Sequence, residues 1–176
     1  MAGSWEIKAS KSVLVGILHT ELTTLAWSFG LRNLIIPGDI LPIAGRPFCM
    51  ARNEICQAAL QNGYEWVFML DSDVVPPRDA IVRLISRQQP IISGVYCRRS
   101  PPHGLPVYIK NKQWGYGFAP NKLLEVDVVG AGCLLIHRSV LERMPPIDPV
   151  RGKTFFDWRV DCPNLPEGEA MSEDFS

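Results

Sequence analysis

Residues 66 to 70, Trp-Val-Phe-Met-Leu, are five apolar side chains in succession with no polar residue among them. A strand of this composition buries both of its faces, which requires covering layers on either side of a sheet. Asp71, Ser72 and Asp73 follow directly, and Pro76-Pro77 closes the stretch. In open α/β sheets, ligands bind in the crevice outside the carboxyl ends of the strands. Two carboxylates there are either solvated loop residues or an arrangement for a cation. Alternate residues at a turn can aim two hard oxygen ligands at one Mg²⁺ or Mn²⁺, which in turn grips phosphate oxygens.

The rest of the chain supplies the layers. "SVLVGILHT" (12 to 20) is β-branched and apolar and reads as a central first strand ending in His19, Thr20 and Glu21. A short helix is expected through "LTTLAWSFGL", then a second strand over "NLIIPGD" closed by Pro37-Gly38. From Pro47, Phe48, Ala51, Ile55 and Ala59 fall on one helical face, and Gly63 is placed to end the helix. Arg52 and Asn53 lie off that stripe near its start, so they are expected to project toward a ligand; for Arg52 the competing reading is a surface ion pair. "PPRDAIVRLISRQ" reads as a helix and "PIISGVY" as another buried strand. The proline-, glycine- and aromatic-rich stretch from Cys97 to Lys122 breaks the rhythm as part loop, part hairpin. "LLEVDVVGAGCLLIHRSVLERM" returns to strand and helix, with Ser139 as the expected N-cap. Alternating strand and helix is the pattern of an α/β layer fold.

Composition sets the remaining bounds. At 176 residues, 47% hydrophobic and 20% charged, the chain is long enough for one domain with a sizeable core. Eighteen basic residues balance eighteen acidic ones, so net charge does not indicate nucleic acid. Five cysteines, odd in number and never in a C-x-x-C pair, indicate neither a disulfide framework nor a zinc ribbon. Neither a signal-peptide apolar region nor a transmembrane stretch is legible, and a cytoplasmic location with reduced thiols is the expectation.

Taken together, "MARNEICQAALQNGYEWVFMLDSDVVPP", "VDVVGAGCLLIHRSVLERM" and "SEDF" resemble, in order and separation, a glycosyltransferase of the GT-A fold, close to family 2. The resemblance implies a single three-layer, Rossmann-like domain over residues 1–176 with a mostly parallel central sheet. It implies transfer of a sugar from a nucleotide-sugar donor, UDP- or GDP-linked, to an acceptor hydroxyl, with inversion and with Mn²⁺ or Mg²⁺. Asp73 would hold the cation and Asp71 would support it while touching ribose or sugar. Arg52 and Asn53 would lie beside the nucleotide, with His19, Thr20 and Glu21 nearest the base. Asp174, beside Glu173, would be the general base. Such family members continue past the Glu-Asp segment, so the domain is expected to lack its C-terminal part.

Other readings compete. Gly130, Ala131 and Gly132 either let a sugar approach or allow strand and helix to pack tightly. Trp114 either stacks on an acceptor sugar or covers a sheet edge. As a whole, the chain could be an inactive nucleotide-sugar binding module. It could also be a haloacid-dehalogenase-type phosphatase with Asp71 as nucleophile, since "DSDVV" fits that signature. In such enzymes, however, the motif sits on the first strand, and here two strand candidates precede it.

Overall fold

The structure, a computed structural model, describes residues 12–20, 22–97, 104, 106–145 and 154–156. Its main sheet has five strands in the order β2-β1-β3-β8-β4: β1 (Val13–His19), β2 (Gly38–Ala44), β3 (Trp66–Asp71), β4 (Ile91–Ser93) and β8 (Cys133–His137). β1 pairs in parallel with both β2 and β3, whereas β8 runs antiparallel to β3 and β4. The sheet is therefore mixed, with β8 alone reversed. A smaller antiparallel sheet orders β6 (Gln113–Trp114), β5 (Tyr108–Lys110) and β7 (Val128–Val129). Its hairpin lies where the proline- and glycine-rich stretch was read as part loop and part hairpin.

Both faces of the main sheet are covered, as the unbroken apolar run demands. Val13, Val15, Ile17, Trp66, Phe68 and Leu70 pack against Trp27 of α1 (Leu25–Asn33) and Ile81 and Ile85 of α3 (Ala80–Ser86). The alternate residues Leu14, Leu18, Val67 and Met69 pack against Ala51, Ile55 and Ala59 of α2 (Phe48–Asn62) and Leu141 of α4 (Arg138–Arg143). The result is helix, sheet, helix. Phe68, Met69 and Leu70 are wholly buried, and each such side chain contributes about 1.5–3 kcal/mol by leaving water. α2 ends where expected: Gly63 takes the left-handed conformation (φ 80°) that a side chain would resist.

Three sequence expectations need correction. The second strand is not "NLIIPGD" but Gly38–Ala44. Ile35 instead donates its backbone N–H to Arg78, and pairing with β1 starts at Gly38, opposite Val13. A Cβ at Gly38 would fall 1.9 Å from the Val13 carbonyl oxygen, so glycine marks the strand's entry. Pro42 is tolerated in β2 because this strand is at the sheet edge. β4 is likewise an edge strand, three residues long, with Ile91 half exposed rather than buried. Finally, α4 is capped by His137, whose imidazole accepts from Ser139 N–H; Ser139 lies inside the helix.

The chain leaves β1 toward β2 on one side and returns to β3 on the other, so strand order reverses beside β1. The carboxyl ends of β1 and β3 flank this switch point, the position where open α/β sheets hold ligands.

Candidate functional site

β3 carries Asp71 to that edge, in register with Leu18 one residue before His19. The turn after it is fixed by its backbone: Val74 N–H donates to the Asp71 carbonyl at 3.1 Å, and Ser72 N–H donates to the Leu18 carbonyl at 3.1 Å. The Trp27 indole N–H also reaches the Asp71 carbonyl, at 3.1 Å, tying α1 to the same turn. Asp73 lies on the turn and is exposed. Asp71 is partly covered, its side chain 18% exposed.

The covering group is Arg52. Its guanidinium is completely buried and donates through one Nη to both carboxylate oxygens of Asp71, at 3.2 and 3.3 Å. Two rings flank it, Phe48 and Phe156, with centroids 5.7 and 5.9 Å from the guanidinium carbon. The expectation of an outward-projecting Arg52 is therefore overturned: the residue falls on the same buried face of α2 as Ala51, Ile55, Cys56 and Ala59, and its side chain reaches the end of β3. Asn53 is engaged in another direction. Its amide donates to the Phe156 carbonyl at 2.7 Å and its oxygen accepts from Phe155 and Phe156 N–H at 2.7 and 2.9 Å. It holds a chain segment rather than projecting outward.

The third wall comes from the reversed strand. Gly132 accepts from Asp71 N–H at 3.1 Å through its carbonyl and donates its own N–H to the Tyr96 hydroxyl at 3.0 Å. A Cβ at Gly132 would stand 3.0 Å from both Asp71 Oδ2 and Tyr96 Oη. Glycine there keeps room beside the carboxylate. Gly130 is packed more tightly, since a Cβ would come within 2.1 Å of Tyr96 Oη. Ala131 is buried in the core, on the α2 side of the sheet. Tight packing thus accounts for Gly130 and Ala131, and only Gly132 borders Asp71. Trp114 sits half-buried on β6, opposite Ile109 in the smaller sheet.

His19 and Thr20 end β1 at this edge, the His19 Nδ1 lying 2.7 Å from the Thr20 carbonyl and the Thr20 hydroxyl donating to Leu22. Glu21, Glu173 and Asp174 lie outside the described residues. Two site residues escaped sequence reading: Tyr96 and Trp27. Tyr96 follows an apolar strand and Gly94, a weak signal without its partner Gly132. Nearby Cys133 does not offer a ready nucleophile, because burial pushes its thiol up to about 11.

Among the described residues, no group of three or more His, Cys, Asp or Glu side chains converges as a metal cage. The two carboxylates nevertheless suit a cation such as Mg²⁺, which is commonly held by one or two carboxylates together with substrate phosphates. The space left by Gly132 beside Asp71 is compatible with such a group.

Fold and edge together define an α/β protein with a mixed five-stranded sheet and a polar site at its switch point. The crystal structure of A197 from STIV shares this fold, with a TM-score of 0.57 over 81% of this chain and 74% of that chain, at 19% identity. No protein-family model and no curated protein matches the sequence. Among the described residues, no helix is long and apolar enough to cross a membrane.

Proposed function

We propose that the chain is a metal-dependent glycosyltransferase, moving a sugar from a UDP- or GDP-linked donor to an acceptor hydroxyl with inversion. The observation that carries this reading is the pair Asp71 and Asp73 at the carboxyl end of buried β3, beside the switch point, with Gly132 leaving space at the Asp71 carboxylate. Asp73, the exposed member, would hold Mn²⁺ or Mg²⁺, and Asp71 would face the ribose or sugar. His19 and Thr20, at the end of the neighbouring strand, would border the nucleotide. A bound cation supplies neutralisation of the leaving diphosphate. Asp174, next to Glu173, is the candidate to take the acceptor proton. The resemblance of the sequence motifs to GT-A enzymes supports the same assignment. No observation favours the phosphatase reading: the Asp71 carboxylate is engaged by Arg52.

The test is calorimetric titration with UDP and GDP, with and without Mn²⁺. One nucleotide should bind only with the cation, and Asp73→Asn should weaken that binding by at least about tenfold, roughly 1.4 kcal/mol, while the protein stays folded. Equal binding by folded wild type and variant would remove Asp73 from the site.

A further inference from the structure

We propose that the strip from Trp114 to Phe118, which begins in β6 of the smaller sheet, is a platform for single-stranded nucleic acid: bases stack on its rings while the basic side chains around it hold the phosphates. The inference is independent of the nucleotide-sugar reading and concerns a surface which that reading does not use.

The sequence alternates here: Gly115 and Gly117 separate Trp114, Tyr116 and Phe118. Successive residues of an extended chain point to opposite sides, and the glycine side is occupied. Gly115 donates its N–H to the Tyr108 carbonyl at 2.9 Å, and the Tyr108 hydroxyl donates to the Gly117 carbonyl at 2.5 Å. The buried Tyr108 ring thus lies along both glycines, and a Cβ at Gly115 would stand 2.3 Å from it. The intervening rings are left outside. Trp114, opposite Ile109, is half-buried, whereas Tyr116 is 79% and Phe118 52% exposed. Rings this open add little to the core, and each presents a flat apolar face to a ligand. Two residues of extended chain advance about 6.8 Å, twice the step of about 3.4 Å between stacked bases along one strand. A single strand can open to that spacing and lay bases on successive rings; a duplex, whose bases are covered on both faces, cannot.

Charge decides between the ligands that stack on aromatic rings. Lys110, Lys112 and Lys122 are exposed, and residues 110 to 122 contain no Asp or Glu. Arg87, at the end of α3, reaches the same stretch and donates to the Asn121 carbonyl at 3.1 Å. The nearby Asp127 is turned to the tip of the β5–β6 hairpin, where it accepts from Asn111 N–H at 2.6 Å. A chain with no net charge therefore carries a local cationic margin around its aromatic strip. A neutral sugar also stacks on rings but gains nothing from that margin. A polyanion with flat bases uses both, and single strands are held in this way, by aromatic stacking beside a positively charged track.

The experiment follows the fluorescence anisotropy of labelled oligothymidylate and oligouridylate of about 16 nucleotides on titration with the full chain at several salt concentrations. A labelled DNA duplex of the same length is the comparison, and maltohexaose, titrated by calorimetry, is the neutral sugar. A single strand should bind more tightly than the duplex. Tyr116→Ala and Phe118→Ala should each weaken that binding by at least about fivefold, the least that one stacked base is worth, whereas Tyr116→Phe, which keeps the ring, should stay within about twofold. Lys112→Gln should reduce the slope of log affinity against log salt by about 0.7. All these side chains are exposed, so the variants should melt as the wild type does. If the Lys112 variant weakens binding but loss of either ring does not, the contact is plain charge attraction and the platform is overturned. Equal affinity for the duplex overturns it as well, as does failure to bind either oligonucleotide. Maltohexaose binding that Tyr116→Ala abolishes, with oligonucleotide binding unchanged, assigns the strip to sugar instead. No arm uses Mn²⁺, UDP or GDP, so the result stands whether or not the nucleotide-sugar reading does.

Discussion

Asn53 grips the backbone of Phe156 from both sides, donating to its carbonyl at 2.7 Å and accepting from its N–H at 2.9 Å across 103 residues of sequence. With the Phe155 N–H also bound to Asn53 Oδ1, one carboxamide closes three backbone groups that would otherwise be buried without partners. Phe155 and Phe156 enter the core cluster through this clamp. Asn53→Ala should therefore cost about 2–3 kcal/mol, read as a lower urea midpoint. A loss below about 0.5 kcal/mol would mean that the phenyl rings, and not the amide, hold the segment.

Arg52→Ala should destabilise as well. Removing one partner of a buried ion pair costs about 3–5 kcal/mol, and because Asp71 keeps some access to water the lower end is expected. Thermal melting would show it. An unchanged melting temperature would contradict the burial of this guanidinium.

The two glycines before β8 should respond differently to one added methyl group. Gly130→Ala would force the new Cβ within 2.1 Å of the Tyr96 hydroxyl, whereas at Gly132 the nearest atoms stand at 3.0 Å. Gly130→Ala should lower stability by about 1–3 kcal/mol. Gly132→Ala should lower it less but weaken Mn²⁺-dependent nucleotide binding, because its methyl group sits against Asp71 Oδ2. Chemical denaturation and calorimetry on the same two variants separate the effects, and the reverse ranking in stability would refute the packing argument.

His137 should make stability depend on pH. Burial pushes its imidazole below the usual range, opposed by Glu142 and reinforced by Arg143, and its Nδ1 accepts the Ser139 N–H that starts α4. A proton on that nitrogen would abolish the cap. The folded state thus binds the proton less readily than the unfolded state, so its advantage is present above about pH 6.5 and is lost as pH falls from there through the folded value. Denaturation from pH 8 to pH 5 should show the decline, and His137→Asn should flatten it. An equal slope in both proteins would assign the decline to other groups.

If Asp174 is the base, Asp174→Asn should leave nucleotide binding intact and slow sugar transfer by roughly 10²–10⁴-fold. Transfer at the wild-type rate would exclude it.

How much of this could be read from the sequence depended on range. β1, β3 and α2 were legible because each is a local pattern: an apolar run, or a stripe at helical spacing closed by Gly63. The start of β2 was not, since Leu34 to Ile36 look like a strand and only the contact with Val13 shows that pairing begins at Gly38. At the site, the Asp-x-Asp turn was visible but the orientation of Arg52 was not. Its helical spacing from Phe48 and Ile55 sets it on the buried face of α2, but a charged residue is tolerated there only because of partners distant in sequence, an acid 19 residues later and a ring 104 residues later. Tyr96 was missed for the same reason, because its role exists only once Gly132 is beside it.

The reversal of β8 makes the part of the chain between Gly94 and Gly132 a detachable cassette. β4 ends and β8 begins at the same edge, and Gly94 N–H donates to the Cys133 carbonyl at 2.9 Å, closing the neck of the excursion. Because its ends are already joined by the sheet, changing its length alters the closure cost only logarithmically, about 0.6 kcal/mol per doubling. The main sheet can thus stay constant while the surface beside Asp71 is exchanged, so related chains could diverge in what they accept without redesigning what holds them together.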